Sequence, residues 1–209
     1  MIEKKLLLAT TNRGKVREIK KLLRGLRLKI ESLADYPEFG TLVERGKTFE
    51  ENSRAKSIFY SRKYPGLVLA EDSGLEVEAL AGKPGVRSAR FAGSRASDSH
   101  NIRKLLRLLE KVPPARRKAR FVCVATLARN GRVIKSFKGQ VRGVITREPQ
   151  GSGGFGYDPV FYYKPLKKTF AELTAEEKNL VSHRGRALRK LRKFLEKFQA
   201  NCSSEAPSS

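Results

Sequence analysis

Four apolar residues in succession, Leu67-Val68-Leu69-Ala70, run without interruption into Glu71-Asp72-Ser73-Gly74. An apolar run this short, closed by turn-forming residues, predicts a strand buried on both faces of a sheet that ends at the turn. It leaves two carboxylates at the strand's exit. In open α/β sheets ligands bind in the crevice beyond the strand ends, so this stretch is the first place to look for chemistry. Asp-Ser-Gly is equally ordinary turn vocabulary, and the pair gains meaning only from the rest of the chain.

From the N-terminus, Lys5 to Ala9 predicts a strand, Thr10-Thr11-Asn12-Arg13-Gly14-Lys15 a polar loop, and Val16, Ile19, Leu22, Leu23 and Leu26 a helix. Such a loop aims free backbone N–H groups and the positive end of the helix dipole at one spot, where Lys15 adds a full charge. That suits phosphate. A Walker A loop is excluded, because Ala9 stands where its first Gly would be and Val16 where a Ser or Thr should be. A second strand is expected near Lys29 to Ser32. Thr48 and Glu51 have capping-box spacing for a helix from Phe49 to about Lys63, which puts Asn52 and Lys56 on one face beyond Glu44 in the preceding loop.

After the central strand, Leu75, Val77 and Ala79 alternate with Glu76 and Glu78 and predict a half-exposed strand leading to the turn Gly82-Lys83-Pro84-Gly85. Ser97 or Asp98 caps a helix bearing Ile102, Leu105, Leu106 and Leu109, with His100 read as a surface residue. Phe121 to Ala128, Asn130-Gly131 and Val133 to Ile145 predict a hairpin bent near Gly139 or Gly143, the backbone of a small lobe. The following Gly151-Ser152-Gly153-Gly154-Phe155-Gly156 formally spells G-x-G-x-x-G. A dinucleotide fingerprint is rejected, since Asp158-Pro159 leads into an apolar strand, Val160 to Tyr163, and no helix follows Gly156. A flexible loop remains in which Phe155 could stack on a base and Asp158 accept from a ring N–H. Thr174 and Glu177 open a short helix carrying Lys178. Ser182 caps a second helix with Ala187, Leu188, Leu191, Phe194, Leu195 and Phe198 inward. His183 and Arg184 fall in its first turn, where cations oppose the helix dipole, and so become candidates for ligand contact. The residues after Asn201 are expected to be a disordered tail.

The 209 residues suffice for one domain, taken as 1–200, with 201–209 as tail. Cys123 and Cys202 form neither a disulfide framework nor a metal spacing. No apolar run reaches membrane-spanning length, which predicts a soluble, cytoplasmic protein. Lys and Arg number 45 against 21 Asp and Glu, a net charge of +24 that attracts polyanions but specifies no reaction. Basic clusters at Arg116-Arg117-Lys118 and Arg189 to Lys193 motivate a rival reading, a nucleic-acid-binding protein without catalysis. No familiar nucleic-acid module is spelled out, so nucleic acid is the disfavoured partner, left open by the charge.

Six blocks together resemble the inosine triphosphate pyrophosphatase, or Ham1-like, family. They are Thr10 to Lys15, Gly46 to Asn52, Glu71 to Leu75, Gly82 to Gly85, Gly153 to Pro159 and Ser182-His183-Arg184-Gly185, in the family's order. Thr11 departs from the expected Gly or Ser, and the strong basicity is not a family requirement. The resemblance implies an α/β fold: an elongated mixed β-sheet with flanking helices, two lobes around a central nucleotide-binding cleft, and assembly as a homodimer. It implies hydrolysis of ITP, dITP and XTP to the monophosphate and pyrophosphate with Mg2+. By position, Thr10, Thr11, Asn12, Arg13, Gly14, Lys15 and Lys56 would hold the triphosphate, with Asn52 and Ser73 in support. Glu44 and Asp72 would bind metal. Phe155 would stack on the purine, with Gly156, Tyr157, Asp158, Lys178, His183 and Arg184 around it. A Maf-like pyrophosphatase acting on other nucleotides is the alternative within the same chemistry.

Magnesium takes one or two carboxylates and completes its shell with phosphate and water, which suits two acids from separate segments. Adjacent extended residues point opposite ways, so Asp72 is assigned to the ion and the attacking water, and Glu71 is kept as the lesser candidate for base. A 6-oxo purine presents an acceptor where adenine presents a donor, so donation by Arg184 or Lys178 would favour hypoxanthine and xanthine.

Overall fold

The computed structural model describes residues 4–204, with side chains for 5–197. One mixed sheet of seven strands runs through it in the order β2-β1-β3-β4-β5-β6-β7. The strands are β1 (Lys4–Leu8), β2 (Leu28–Ser32), β3 (Leu67–Val77), β4 (Lys118–Arg129), β5 (Arg132–Ile145), β6 (Phe161–Tyr163) and β7 (Lys168–Thr169). β1 lies parallel to β2 and β3, and every later pairing is antiparallel. The helices are α1 (Arg13–Leu22), α2 (Phe49–Ser61), α3 (Asp98–Leu108), α4 (Ala175–Val181) and α5 (His183–Ser204). None is long and apolar enough to cross a membrane.

The central strand does not stop at Asp72-Ser73-Gly74. β3 continues to Val77 because β4 pairs with it along its length, from Val68 opposite Ala128 to Val77 opposite Ala119. The ladder overrides local turn preference, and the separate strand expected at Leu75 is the same element. Gly74 is needed here for close approach rather than for a turn: a Cβ there would lie 2.4 Å from Ser88 Oγ and 2.5 Å from the Gly85 carbonyl oxygen. The acids therefore sit mid-strand. β1 pairs only as far as Leu69, and the next contact along that edge is an isolated bridge from Glu76 to Pro84. Between them β3 has an open edge.

The alternation of β3 also divides the core. On one face, Leu67 and Leu69 join an apolar cluster with α1 and α5, while Leu75 and Val77 join another with α3 and β6. Glu71 and Ser73 fall between the two. On the other face, Val68 and Ala70 pack with Tyr60 and Tyr64, Phe49 packs on Val122 and Val124, and Asp72 interrupts them. Two lobes thus share one spine, with a polar belt across its middle. The β4–β5 hairpin belongs to both lobes, not to a small one. Its irregularity falls at Leu127/Ala128 and not at the glycines. Gly139 instead lets α5 approach, since a Cβ there would meet the His183 carbonyl oxygen at 2.1 Å.

Several local expectations shift. α1 begins at Arg13, capped by Asn12 Oδ1, which accepts from Lys15 N–H at 3.0 Å, so half of the expected loop is helix. Thr48 caps α2 as expected, but Glu51 accepts from Lys47 N–H rather than from the cap residue. α5 runs to Ser204, four residues into the expected tail; Phe198 has its side chain outside the described residues, as do residues 205–209 entirely. Of the cluster Arg116-Arg117-Lys118, Arg117 is buried and donates to the carbonyl oxygens of Leu109, Val112 and Thr146, which removes it from any basic surface.

Candidate active site

Glu71 and Asp72 point to opposite faces of β3, and their surroundings differ accordingly. Glu71 is fully enclosed. Arg184 donates to it twice, Nε to Oε2 at 2.7 Å and Nη2 to Oε1 at 3.0 Å, and Lys15 Nζ lies 2.8 Å from Oε1. Cys123 Sγ adds a contact at 3.4 Å. Burial alone would raise its pKa, but Arg184 and Lys15 overrule it and hold the carboxyl well below the usual range. A carboxylate so deeply ionised and so fully engaged is a poor proton acceptor. What the geometry gives Glu71 is the role of an anchor for two cations.

Asp72 has the opposite balance. Burial pushes its carboxyl up, Asn52 Nδ2 donating to Oδ2 at 2.9 Å partly offsets this, and the charge of Glu44 raises it again. Oδ1 accepts from Ser73 N–H at 2.9 Å. Asn52 is the link to the Glu44 loop, because its Oδ1 accepts from Gly46 N–H at 2.8 Å. One turn further along α2, Lys56 forms an ion pair with Glu44 and donates to the Glu71 carbonyl oxygen at 3.1 Å on the open edge of β3. Tyr60 adds a third tie, donating to the Gly40 carbonyl oxygen and accepting from Leu42 N–H. Ala9, Thr10, Thr11, Glu44 and Lys56 line a cavity of about 260 Å³ at this point.

The aromatic side of the site adjoins the same helix start. Phe155 packs so closely on α1 that a Cβ on Gly14 would lie 3.0 Å from its ring. Lys178 Nζ stands 4.4 Å and Arg184 Cζ 5.3 Å from the ring centroid, within cation–π range. Asp158 is buried, accepts from Phe155 N–H at 2.9 Å, and pairs with Lys178 at 2.6 Å. Burial raises its carboxyl against the opposing pull of Lys178. Gly154 must be glycine here, with φ +74° and a would-be Cβ 2.1 Å from Asp158 Oδ2.

Two expected pocket residues sit differently. Tyr157 turns into the second apolar cluster, where its hydroxyl donates to the Ser88 carbonyl oxygen at 3.0 Å, so only its backbone belongs to the loop. His183 is enclosed and stacked on Phe121, with centroids 4.7 Å apart and planes at 12°. Burial, reinforced by the charge of Arg184, holds its pKa well below the usual value, and its Nδ1 is the one buried side-chain polar atom among the described residues without a hydrogen-bond partner. Thr11, Asn12 and Arg13 are exposed at the start of α1. Gly156 N–H donates to Asp98 Oδ2 at 2.7 Å, a contact the sequence did not suggest.

Glu18 is the principal residue missed. It pairs with Lys178 at 2.9 Å and with Arg184 at 2.5 Å, and although burial opposes ionisation these two cations lower its pKa. The available signal was its isolation as the one acid of a helix reading Arg-Gly-Lys-Val-Arg-Glu-Ile-Lys-Lys-Leu. A chain of charges thus runs Lys15, Glu71, Arg184, Glu18, Lys178, Asp158, joining α1, β3, α5, α4 and the Gly-rich loop.

Residues 6–194 match the Ham1 family profile. The chain is 50% identical over 195 residues to a dITP/XTP pyrophosphatase of Desulforamulus reducens, covering 93% of this chain and 96% of that one. It is 49% identical over 191 residues to a dITP/XTP pyrophosphatase of Geobacter sulfurreducens, covering 91% and 96%. Among solved structures it resembles a HAM1 protein from Coxiella burnetii, with TM-score 0.85 and 38% identity over 93% of this chain and 99% of that one. The Staphylococcus aureus Ham1 protein gives TM-score 0.83 and 40% identity, with the same coverage.

Proposed function

The chain belongs to the Ham1 family, and from that premise we propose that it hydrolyses the non-standard purine nucleoside triphosphates ITP, dITP and XTP to monophosphate and pyrophosphate. The observation that carries this reading is the convergence of distant blocks on the open edge of β3: acids on one face, and a charge chain ending at an aromatic ring on the other. The overall reaction places a water oxygen on the α-phosphorus, breaks its bond to the bridging oxygen of the β-phosphate, and releases pyrophosphate and a proton.

Glu44 and Asp72 suit Mg2+. Their negative charges are close enough for one to raise the pKa of the other, and a divalent ion would relieve that repulsion. When bound, magnesium would neutralise phosphate charge and lower the pKa of a water molecule. With Glu44 sharing the ion, Asp72 would be the candidate to receive the proton lost by the attacking water. An ammonium has three donors. Lys56 uses two, on Glu44 and the Glu71 carbonyl, and Lys15 uses one, on Glu71, so both retain donors for phosphate oxygens. The first-turn N–H groups of α1, at Arg13 and Gly14, have no acceptor within the helix and point the same way.

For the base, Phe155 offers a stacking face and Asp158 an acceptor for a ring N–H. Of the five guanidinium donors of Arg184, four go to Glu71, Glu18 and Ser73. The fifth would meet a 6-oxo group and leave adenine's amino group facing a donor, which can cost large factors in rate. The setting proposed is a cytoplasmic homodimer, its state open to light scattering. The deciding experiment is pyrophosphate release from ITP, dITP, XTP, GTP and ATP with and without Mg2+, with Asp72→Asn as control. Hydrolysis of ITP and XTP no faster than of ATP would overturn the base assignment.

A further inference from the structure

We propose that the groove between β5 and the outer face of α5 is a second anion-binding surface, which takes the sugar–phosphate backbone of a nucleic acid. The groove encloses about 680 Å³ and is lined by Lys138, Gly139, Gln140, Arg186, Arg189, Lys190 and Lys193. Among the described residues it holds five cations and no acid. Arg186 Nη1 donates to the Gln140 carbonyl oxygen at 3.1 Å, Lys190 Nζ to the Lys138 carbonyl oxygen at 2.8 Å, and Arg189 to the carbonyl oxygens of Asn179 and Leu180. The Arg186 and Lys190 contacts reach the β5 backbone, which pairs with β6 only at Val144 and Ile145, and such cover is a known protection for exposed strands; those of Arg189 go to α4. A carbonyl orients a cation without neutralising it. None of the five forms an ion pair among the described residues, whereas Arg192, on the same helix, pairs with Glu196.

The chemistry of the partner follows from spacing and composition. Arg186, Lys190 and Lys193 follow one stripe of α5, about 10 Å long at about 1.5 Å per residue. That is the reach of about three phosphates on one strand at about 3.4 Å each. No aromatic side chain among the described residues lines the groove, so bases have nothing to stack on and the contact is to the backbone, independent of sequence. Lys138 also borders a larger groove of about 920 Å³ that adds Arg87, Arg90 and Lys104, while its acids are Glu50 and Glu76, the latter paired with Arg120. Neither groove shares a lining residue with the cavity at Glu44 and Lys56, although Val124 of the larger one is the ladder partner of Asp72.

The test is fluorescence anisotropy of a labelled mixed-sequence 20-base-pair duplex against the full chain over a salt series. The expected result is binding at low salt that weakens linearly in log salt. Lys138→Gln/Lys190→Gln/Lys193→Gln should flatten that slope by about 2.7, or about 0.9 for each phosphate no longer neutralised, and leave nucleotide hydrolysis unchanged. The triple change Arg95→Gln/Arg103→Gln/Arg107→Gln removes the same charge from the region of α3, and should flatten the slope far less. No binding at low salt, equal effects of the two triple changes, or binding to anionic vesicles but not to the duplex would each overturn the proposal.

Discussion

Arg184 grips Glu71 through two near-parallel hydrogen bonds, at 2.7 and 3.0 Å, and so fastens the first turn of α5 to the middle of β3. Both groups are enclosed, and breaking such a pair leaves an uncompensated charge. Glu71→Gln should lower stability by about 3–5 kcal/mol, read as a lower midpoint in urea unfolding. The neighbouring change should do the reverse. Asp72→Asn removes a carboxylate that burial already disfavours; stability should hold or rise by up to about 1 kcal/mol, while hydrolysis falls by about 10²–10³.

Glu18 holds the two cations that face Phe155. Glu18→Gln should free them to reorient, and narrow the preference for ITP over ATP by about tenfold, with the Mg2+ requirement unchanged. Steady-state kcat/KM on both nucleotides reads this directly. An equal loss on both would assign Glu18 to packing alone.

Glu31 accepts from the hydroxyls of Tyr36 and Tyr64, at 2.5 and 2.7 Å, and lies 2.9 Å from Lys29. These contacts, the Tyr36 bond foremost, hold its pKa at about 2 against an ordinary 4.5. A depressed carboxylate stabilises the fold above its unfolded pKa, and that contribution disappears as pH falls between the two values. Melting temperature should therefore drop from about pH 4.5 toward pH 2, and Glu31→Gln should flatten this part of the curve.

Gly139 sits where α5 crosses β5, and a Cβ would meet backbone at 2.1 and 2.6 Å. Backbone cannot swing aside as a long side chain can. Gly139→Ala should cost about 2 kcal/mol or more, visible as a lower melting temperature. Gly82→Ala has open space around its Cβ and bears only the strain of φ +82°, so it should cost less.

Much of this was legible in the chain because the signals are local. Capping spacings at Thr48 and Thr174 begin helices where expected, and of the alternatives Ser97 and Asp98 it is Ser97 that caps; each has a side-chain oxygen accepting an N–H three residues on. Opposite orientation of Glu71 and Asp72 follows from the pleat alone. Of the two residues expected as cations against the α5 dipole, Arg184 has its charge answered by Glu71 and Glu18, while burial holds the His183 pKa below its usual value. Pairings across 160 or more residues left little local trace beyond one lone acid in a basic helix. The Glu18 contacts are of that kind, and the β4 ladder that carries β3 through Asp-Ser-Gly is likewise invisible to local pattern. Basic clusters were equally ambiguous: Arg117 turns inward between an exposed Arg116 and Lys118, whereas the stretch at Arg189 lines a surface groove, for reasons set by neighbours rather than by composition.

One uninterrupted ribbon joins the two apolar masses, and the groups assigned to phosphate chemistry hang from its midpoint. Asn52 and Lys56 are fastened to that midpoint, one through the Asp72 carboxylate and the other through the Glu71 carbonyl oxygen. Any shift of α2 is therefore felt at both acids at once, and the two faces of the ribbon cannot be adjusted independently.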